Sequence, residues 1–469
     1  MPTITPVILC GGKGERIWPL SRQSHPKQFI ELIGEGSLFQ QAATRLRDVA
    51  APIVITGNEY RFIVRQQLQE VGVGNANVII EPDGRNTAPA ILAAACHLAS
   101  KSPQSVMVVM PSDHYIPDAE AFEAIVQKAV SNLAKGQIAC FGIAPKWPET
   151  GYGYIKLREG NSFITPVETF TEKPDFARAK SFLTDGSYLW NSGIFMMRPV
   201  ELLELAAEMQ SDMLNAVQRA VSSATRDLDF LRLNPVEWAK VEAQSFDYSF
   251  MEKAKGIGCM AFQGEWSDLG DWQALAREKE ADSSGNILHG NAHQIDSANS
   301  LFWAEKDEMV LTGIGLNNIM AIATGDAVLV ADRGRAQEVK AMVAKLKVKG
   351  ASQALSNERE NRPWGWYETI ARGKNFHVKI LHVDPGGLLS LQRHKYRSEH
   401  WVVVSGVATV VLEEEKLQLH ANENVYIHAG QKHRLCNDTD YDLKIIEVQT
   451  GSYFGEDDIE RFSDHYSRT

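Results

Sequence analysis

A chain of 469 residues with 44% hydrophobic side chains is too long for one ordinary core and apolar enough to bury two or three. Its formal net charge of −11 leaves no surplus of basic surface, which excludes a nucleic-acid partner and requires local cations or a metal ion wherever a small anion binds. Five scattered cysteines without a CxxC pair, no basic leader and no apolar run able to span a bilayer give the expectation of a reduced, soluble, cytoplasmic protein with no membrane partner.

Between residues 6 and about 143, short apolar runs at 7–10, 53–56, 78–80 and 106–110 alternate with amphipathic stretches such as 38–49 and 87–98. The alternation predicts βαβ units and a parallel sheet, the core of a Rossmann-like α/β domain over residues 1–280. Ligands bind beyond the carboxyl ends of such strands, so the loops at 11–16, 81–89 and 111–114 are expected to converge on one crevice. A turn-rich break at 281–286 opens a small β-rich, β-helix-like bridge over 281–349. Strands are expected there at 309–312, 319–323 and 327–330, with a closing helix at 337–348. Residues 350–361 read as a polar linker. Beyond it, apolar or alternating runs at 377–383, 400–411, 424–427 and 443–449 predict a small β-barrel within 350–469. The sequence shows no long-period repeat.

Gly11, Gly12 and Gly14 follow the first strand and free backbone N–H groups to approach a polyphosphate. The longer string Gly11-Gly12-Lys13-Gly14-Glu15-Arg16-Ile17-Trp18-Pro19-Leu20-Ser21-Arg22, then Pro26-Lys27-Gln28-Phe29, resembles the opening of sugar-nucleotide pyrophosphorylases. The likeness is closest to the mannose-1-phosphate guanylyltransferases of bacterial polysaccharide synthesis. It continues through Glu81-Pro82-Asp83-Gly84-Arg85-Asn86-Thr87-Ala88-Pro89, Pro111-Ser112-Asp113-His114, Gly151-Tyr152-Gly153-Tyr154-Ile155, Thr171-Glu172-Lys173-Pro174, Trp190-Asn191-Ser192-Gly193-Ile194-Phe195 and Trp266-Ser267-Asp268-Leu269-Gly270-Asp271-Trp272. Glu15 departs from the pattern, since a threonine is usual there.

Asp113 and Asp268, hard carboxylates on separate loops, suit Mg²⁺ bridged to nucleotide phosphates. The resemblance implies a nucleoside subsite at Arg85, Asn86 and Ser112, and a sugar-phosphate subsite at Gly153, Tyr154, Glu172, Lys173 and Asn191. The implied reaction is displacement at the α-phosphorus of GTP by mannose 1-phosphate, with Arg16 and Lys27 neutralising the triphosphate. No general base is needed, because a phosphomonoester with a second pKa of about 6 arrives ionised.

In the C-terminal region Gln392 and His394 are two apart and share one face of a strand, so they can converge on a metal with Glu399 and His433. Such a set suits Zn²⁺ or another divalent ion. The two motifs resemble those of cupin barrels. With Arg362-Pro363-Trp364-Gly365 they resemble the phosphomannose isomerase domain fused to bacterial guanylyltransferases, which implies interconversion of fructose 6-phosphate and mannose 6-phosphate, with Arg397 in catalysis or phosphate capture. Asn422 and His428 stand where that motif usually has glycine and proline, so the turn before His433 could be altered. Lys379, His377 and His382 are candidate proton carriers. A homo-oligomer is expected. Three other readings stay open: a non-catalytic regulatory homologue, a transferase for another sugar or base, and a purely structural barrel.

Overall fold

The computed structural model describes residues 2–12, 14–160 and 162–463; Lys13 of the glycine loop lies outside the described residues. The chain forms two compact units, one of residues up to 324 with 328–345 and one of residues 325–327 with 346 onward.

The first unit is built on an eleven-stranded mixed sheet. Its centre is four parallel strands, β1 (Ile4–Cys10), β2 (Ile53–Gly57), β3 (Asn77–Glu81) and β4 (Val106–Pro111), in the order β4-β1-β2-β3. Every residue of β1 is buried except Leu9, which is half-buried, because helices cover both faces; that is why these strands read as unbroken apolar runs. The helix Thr87–Lys101 packs five alanines into one of those faces. It starts where Asn86, in the left-handed region at φ 67°, turns its side-chain oxygen onto the Thr87 N–H. The first predicted helix is shorter than expected, Leu38–Thr44, opened by a capping box of Ser37 and Gln40.

Outside β4 the sheet changes sense. Strands β5 (Ala139–Ile143), β6 (Tyr154–Leu157), β7 (Thr165–Thr171) and β8 (Tyr188–Met197) lie on that side, and β8 runs antiparallel to β4, β5 and β6. The short pair β9 (Thr225–Asp227) and β10 (Phe230–Arg232) closes the edge beyond β3, and β11 (Gly258–Phe262) lies parallel to β5. The expected parallel sheet is therefore the centre of a larger mixed one, since the hairpins around the sugar motifs bring antiparallel neighbours.

Residues 287–332 wind as a short β-helix. Strands β12 (Ile287–His289), β14 (Leu301–Ala304) and β16 (Ile319–Ala323) stack in parallel, as do β13 (Ala292–Ile295) and β15 (Leu311–Ile314), and β17 (Val328–Asp332) closes the stack antiparallel. Contrary to the sequence reading, there is a long-period repeat here. Leu301 pairs with Met320 and Ala292 with Leu311, each nineteen residues on, and Asn299 and Asn318 form equivalent left-handed corners at φ 50° and 55°. Two copies with unlike apolar residues at the stacked positions carry too little self-similarity to show in the sequence.

The second unit is a barrel of two sheets. One comprises β18 (Arg359–Arg362), β19 (Gly365–Gly373), β20 (Phe376–Val383), β22 (Arg397–Ser405), β25 (Asn424–Ile427) and β27 (Leu443–Gly451). The other comprises β21 (Leu391–His394), β23 (Ala408–Leu412), β24 (Glu415–Leu419), β26 (His433–Cys436) and β28 (Ile459–Ser463). The single run expected at 400–411 is two strands, broken at Gly406, where φ is 89° and an added Cβ would lie 2.8 Å from the Asp442 carbonyl oxygen. The expected linker also ends in structure, since Arg359–Arg362 pairs with β19.

Candidate functional site

At the carboxyl edge of the parallel strands the expected loops come together. Ser112 donates its N–H to the Leu9 carbonyl, which seats the Asp113 loop beside the glycine loop. Added Cβ atoms on Gly11 and Gly12 would meet nothing within 4 Å among the described residues, so their packing does not demand these glycines and leaves room for a ligand. Gly14 is different: at φ 58° its Cβ would lie 2.8 Å from the Lys27 backbone nitrogen.

Gly14, Glu15, Arg16, Lys27, Asp113, His114, Asp268, Gly270 and Lys340 line a cavity of about 340 Å³. Lys27 is its organiser. The buried ammonium donates to the carbonyls of Asp268 (2.6 Å) and Leu269 (3.1 Å) and pairs with Asp113 Oδ2 at 3.0 Å. All three of its protons are thus directed at protein, and Lys27 ties together the two loops that carry the acidic residues. Burial alone would raise the Asp113 carboxyl; the Lys27 charge and its hydrogen bond outweigh it and hold it below its ordinary range. Asp268 Oδ1 accepts from the Tyr152 hydroxyl at 2.6 Å and from the Gly270 N–H at 3.0 Å. Trp266 donates its indole N–H to His114 Nδ1 at 3.3 Å, and burial lowers that imidazole to about 4, so His114 is neutral. Arg16 is exposed and has no ion-pair partner among the described residues.

The residues assigned to the sugar phosphate divide. Gly153, Glu172 and Asn191 meet in one cluster, where a Cβ on Gly153 would lie 2.7 Å from Glu172 Oε2 and 3.3 Å from Asn191 Cβ. Lys173 pairs with Glu172 at 2.5 Å, and Asn191 donates to Asp247 Oδ1 at 2.7 Å. Burial, and then the Glu172 charge, push Asp247 up to about 6. Tyr154, by contrast, is fully buried, donates its hydroxyl to the Glu149 carbonyl and packs its ring on Phe182; it belongs to the core beneath the cluster. Among the nucleoside candidates, Arg85 is half-buried with an unpartnered Nε, Asn86 spends its side-chain oxygen on the helix cap, and Ser112 is buried.

In the barrel, β21 supplies Gln392 and His394, β22 supplies Arg397 and Glu399, and β26 supplies His433. On β22 the inward face runs Arg397, Glu399, Trp401, Val403, so strand alternation alone carries an ion pair into the interior. Ligand atoms of His394, Glu399 and His433 all lie within 4.8 Å of one another: Glu399 Oε1 is 3.1 Å from His394 Nε2, and Oε2 is 3.6 Å from His433 Nε2. His433 Nδ1 faces the Gln431 carbonyl at 3.0 Å, which leaves Nε2 without a hydrogen bond and aimed at the Glu399 carboxylate. Burial lowers the His433 pKa, favouring the neutral form a metal requires. The Gln392 amide nitrogen is 3.4 Å from His394 Nε2, so a flip of that amide would present its oxygen. Buried carboxylate, two imidazoles and an amide fit a divalent cation.

The altered turn keeps His433 in place. Asn422 adopts the left-handed φ of 70° that asparagine tolerates, and the His428 N–H is satisfied by the Gln431 side chain. Arg397 points Nη2 at His394 Nε2 (3.4 Å) and Nε at Glu399 (3.3 Å), lining a small cavity with Arg362, Lys379, Arg461 and Glu447. Of the three candidate proton carriers only Lys379 reaches that cavity. His377 stacks on Phe454, and His382 stacks on Trp366 beside Asp384 and Asp442.

The nucleotidyl transferase family model matches residues 5–285, the mannose-6-phosphate isomerase C-terminal model residues 349–464, and a mannose-phosphate isomerase/GMP-like β-helix model residues 290–346. The mannose-1-phosphate guanylyltransferase of Escherichia coli is 39% identical over 99% of this chain and 98% of its own. The chain belongs to the bacterial mannose-1-phosphate guanylyltransferase family with a fused phosphomannose isomerase domain. Other relatives are the xanthan biosynthesis protein XanB of Xanthomonas campestris, 44% identical over the whole of both chains, and the alginate biosynthesis protein AlgA of Pseudomonas aeruginosa, 39% identical over 99% of this chain and 97% of its own. Two solved structures are similar. A Thermus thermophilus protein described as a mannose-1-phosphate geranyltransferase has a TM-score of 0.66 and 28% identity, covering 74% of this chain and 99% of its own. The mannose-6-phosphate isomerase of Helicobacter pylori has a TM-score of 0.50 and 26% identity, covering 56% of this chain and 99% of its own.

Sequence reasoning about this guanylyltransferase-family chain does not reach Tyr152, Asp247, Lys340 or Glu447. Glu447 alone left a readable signal: it and Gln449 sit two apart on the inward face of an otherwise apolar strand, β27. Glu447 shares the Trp401 indole N–H with Glu399, at 3.1 Å to each, and burial followed by the Glu399 charge pushes it up to about 8.

Proposed function

We propose that the first unit makes GDP-mannose and pyrophosphate from GTP and mannose 1-phosphate, and that the barrel interconverts mannose 6-phosphate and fructose 6-phosphate. The observation that carries the first part is the Lys27 strut, which fixes Asp113 and Asp268 on one cavity beneath the open glycine loop. Two carboxylates so placed would hold Mg²⁺, which when bound supplies charge neutralisation for the nucleotide phosphates. Arg16 faces the polyphosphate, while Lys27 acts through the two loops it joins. A phosphate oxygen of mannose 1-phosphate forms a bond to the α-phosphorus as the bond to the bridging oxygen breaks, and pyrophosphate leaves with that electron pair. The protein positions two anions and screens their repulsion, which is electrostatic and orientational catalysis. Glu172 and Asn191, held by Lys173 and Asp247, offer the hydrogen-bonding edge that a pyranose needs.

For the barrel, the buried His433 Nε2, which makes no hydrogen bond and lies beside His394 and Glu399, supports a metal-dependent isomerase over a structural barrel. Gln392, His394, Glu399 and His433 would hold a divalent ion, Zn²⁺ being well suited, which when bound polarises the sugar carbonyl. Glu447, 3.9 Å from the Lys379 ammonium, is placed to carry the proton between the first two sugar carbons, and Arg397 with Arg461 offers positive charge to the phosphate. We assign the chain to the cytoplasm; no helix among the described residues is long and apolar enough to cross a membrane.

Purified protein with Mg²⁺ is to be assayed for pyrophosphate release with GTP, ATP or dTTP against mannose 1-phosphate and glucose 1-phosphate. Release is expected with GTP and mannose 1-phosphate; preference for another pair would replace the substrate assignment, and silence in all would favour a regulatory homologue.

A further inference from the structure

We propose that Lys340, delivered from the end of the β-helix rather than from the nucleotide-binding sheet, is a triphosphate-neutralising residue of the transferase. The proposal rests on the transferase reading above and adds one residue to its site. Lys340 is the second residue of the helix Val339–Val348, whose Val339 and Val343 are buried, and its exposed side chain lines the same cavity as Arg16, Asp113 and Asp268. It forms no ion pair or hydrogen bond with any described residue.

Its position is fixed from both sides of that cavity. The 3-10 segment Arg333–Glu338, which leads into its helix, packs against the Glu15–Ile17 turn and against the helix Trp272–Arg277. Within that segment Gln337 donates to Asp271, the buried N-cap of the latter helix and the third residue after Asp268. The base of the Lys340 helix is therefore anchored to the two loops that present Arg16 and Asp268. On the same segment Arg335 and Glu338 pair with each other and Arg333 bonds to the Asn299 carbonyl, so neither of its arginines competes with Lys340 for the cavity.

The cavity needs such a charge. Glu15, Asp113 and Asp268 are acidic, and Lys27 is spent on Asp113 and two carbonyls. Among the lysines and arginines of the described lining, Arg16 and Lys340 remain to face a triphosphate and a second phosphate.

The test is steady-state kinetics on the full-length wild type, Lys340→Gln and Lys340→Arg, varying GTP and mannose 1-phosphate separately. The glutamine variant is expected to raise KM for GTP about tenfold or more, with a gap that narrows as salt is added. KM for mannose 1-phosphate should stay within about twofold and the melting curve should not change. Arginine should restore most of the loss. A wild-type KM for GTP in Lys340→Gln, an equal loss for both substrates, or no rescue by arginine would overturn the proposal while leaving the transferase standing. A wild type that forms no GDP-mannose would instead overturn the transferase reading, and this proposal with it.

Discussion

The two candidate sites solve the binding of a sugar phosphate in opposite ways. In the transferase unit the cavity is open, its cations Arg16 and Lys340 reach into solvent, and its carboxylates stand on separate loops joined by one buried lysine. In the barrel the charged groups are sealed: Arg397, Glu399, His394 and His433 are each at most 5% exposed and already touch one another. On the proposed reading, the open site receives a substrate that brings many negative charges, so its cations are unpaired beforehand. On the same reading, a single cation converts the barrel's crowd of buried polar groups into a satisfied set. Charge left free in the first and charge left paired in the second follow from what each must receive.

The predictions that bear on this contrast run from large effects to small ones. Asp113→Ala takes away an acidic residue and the partner of Lys27 together, and should lower GDP-mannose formation by about a thousandfold, with isomerisation unaffected. Pyrophosphate release measures it, and turnover near wild type would refute the assignment. Next, Glu399→Gln replaces the central carboxylate of the barrel cluster. Bound metal by elemental analysis and isomerase activity should both fall at least about a hundredfold, with guanylyl transfer within about twofold; metal retained in full would show that the cluster is not the metal centre.

Lys27→Met tests whether the strut positions rather than binds. It should raise the Mg²⁺ requirement and cost about 2–3 kcal/mol of stability, less than a wholly buried pair because Asp113 keeps some solvent access. A stable protein with only a raised KM for GTP would make Lys27 a direct phosphate ligand instead. Asp247 offers a pH signature. Its raised pKa of about 6 means the folded state holds the proton more tightly, so its contribution to stability is complete below about pH 4 and is lost as pH rises through about 6, by about 3 kcal/mol at most. Asp247→Asn should flatten that fall in urea midpoints compared at about pH 4 and about pH 7; an unchanged slope would place the titration elsewhere. The smallest effect belongs to Tyr154→Phe, which loses one hydrogen bond to a backbone carbonyl, worth about 1 kcal/mol. KM for mannose 1-phosphate should not move, and a large rise would return Tyr154 to the sugar site.

What the sequence disclosed and what it hid follow one physical divide. Features set by local chain direction were legible: the buried parallel strands, the loops at their carboxyl ends, and Gln392 and His394 on one strand face all follow from period-two geometry and turn chemistry. Features set by packing between distant segments were not. Tyr154 reads as an aromatic sugar platform beside Gly153, but the antiparallel hairpin with β7 turns it inward. Lys27 reads as a free cation, but its three partners are a carboxylate and two carbonyls from loops far along the chain. Lys340 lies in a segment whose local pattern announces only a helix, and nothing near it in sequence points to the phosphate loop.

The most direct test of two independent sites on one chain is phosphorus NMR of a single mixture of enzyme, GTP, mannose 1-phosphate, fructose 6-phosphate and divalent metal. Wild type is predicted to give the resonances of GDP-mannose, pyrophosphate and mannose 6-phosphate, and Glu399→Gln the first two without the third. Absence of GDP-mannose from the wild type, or loss of all three together in Glu399→Gln, would contradict the account.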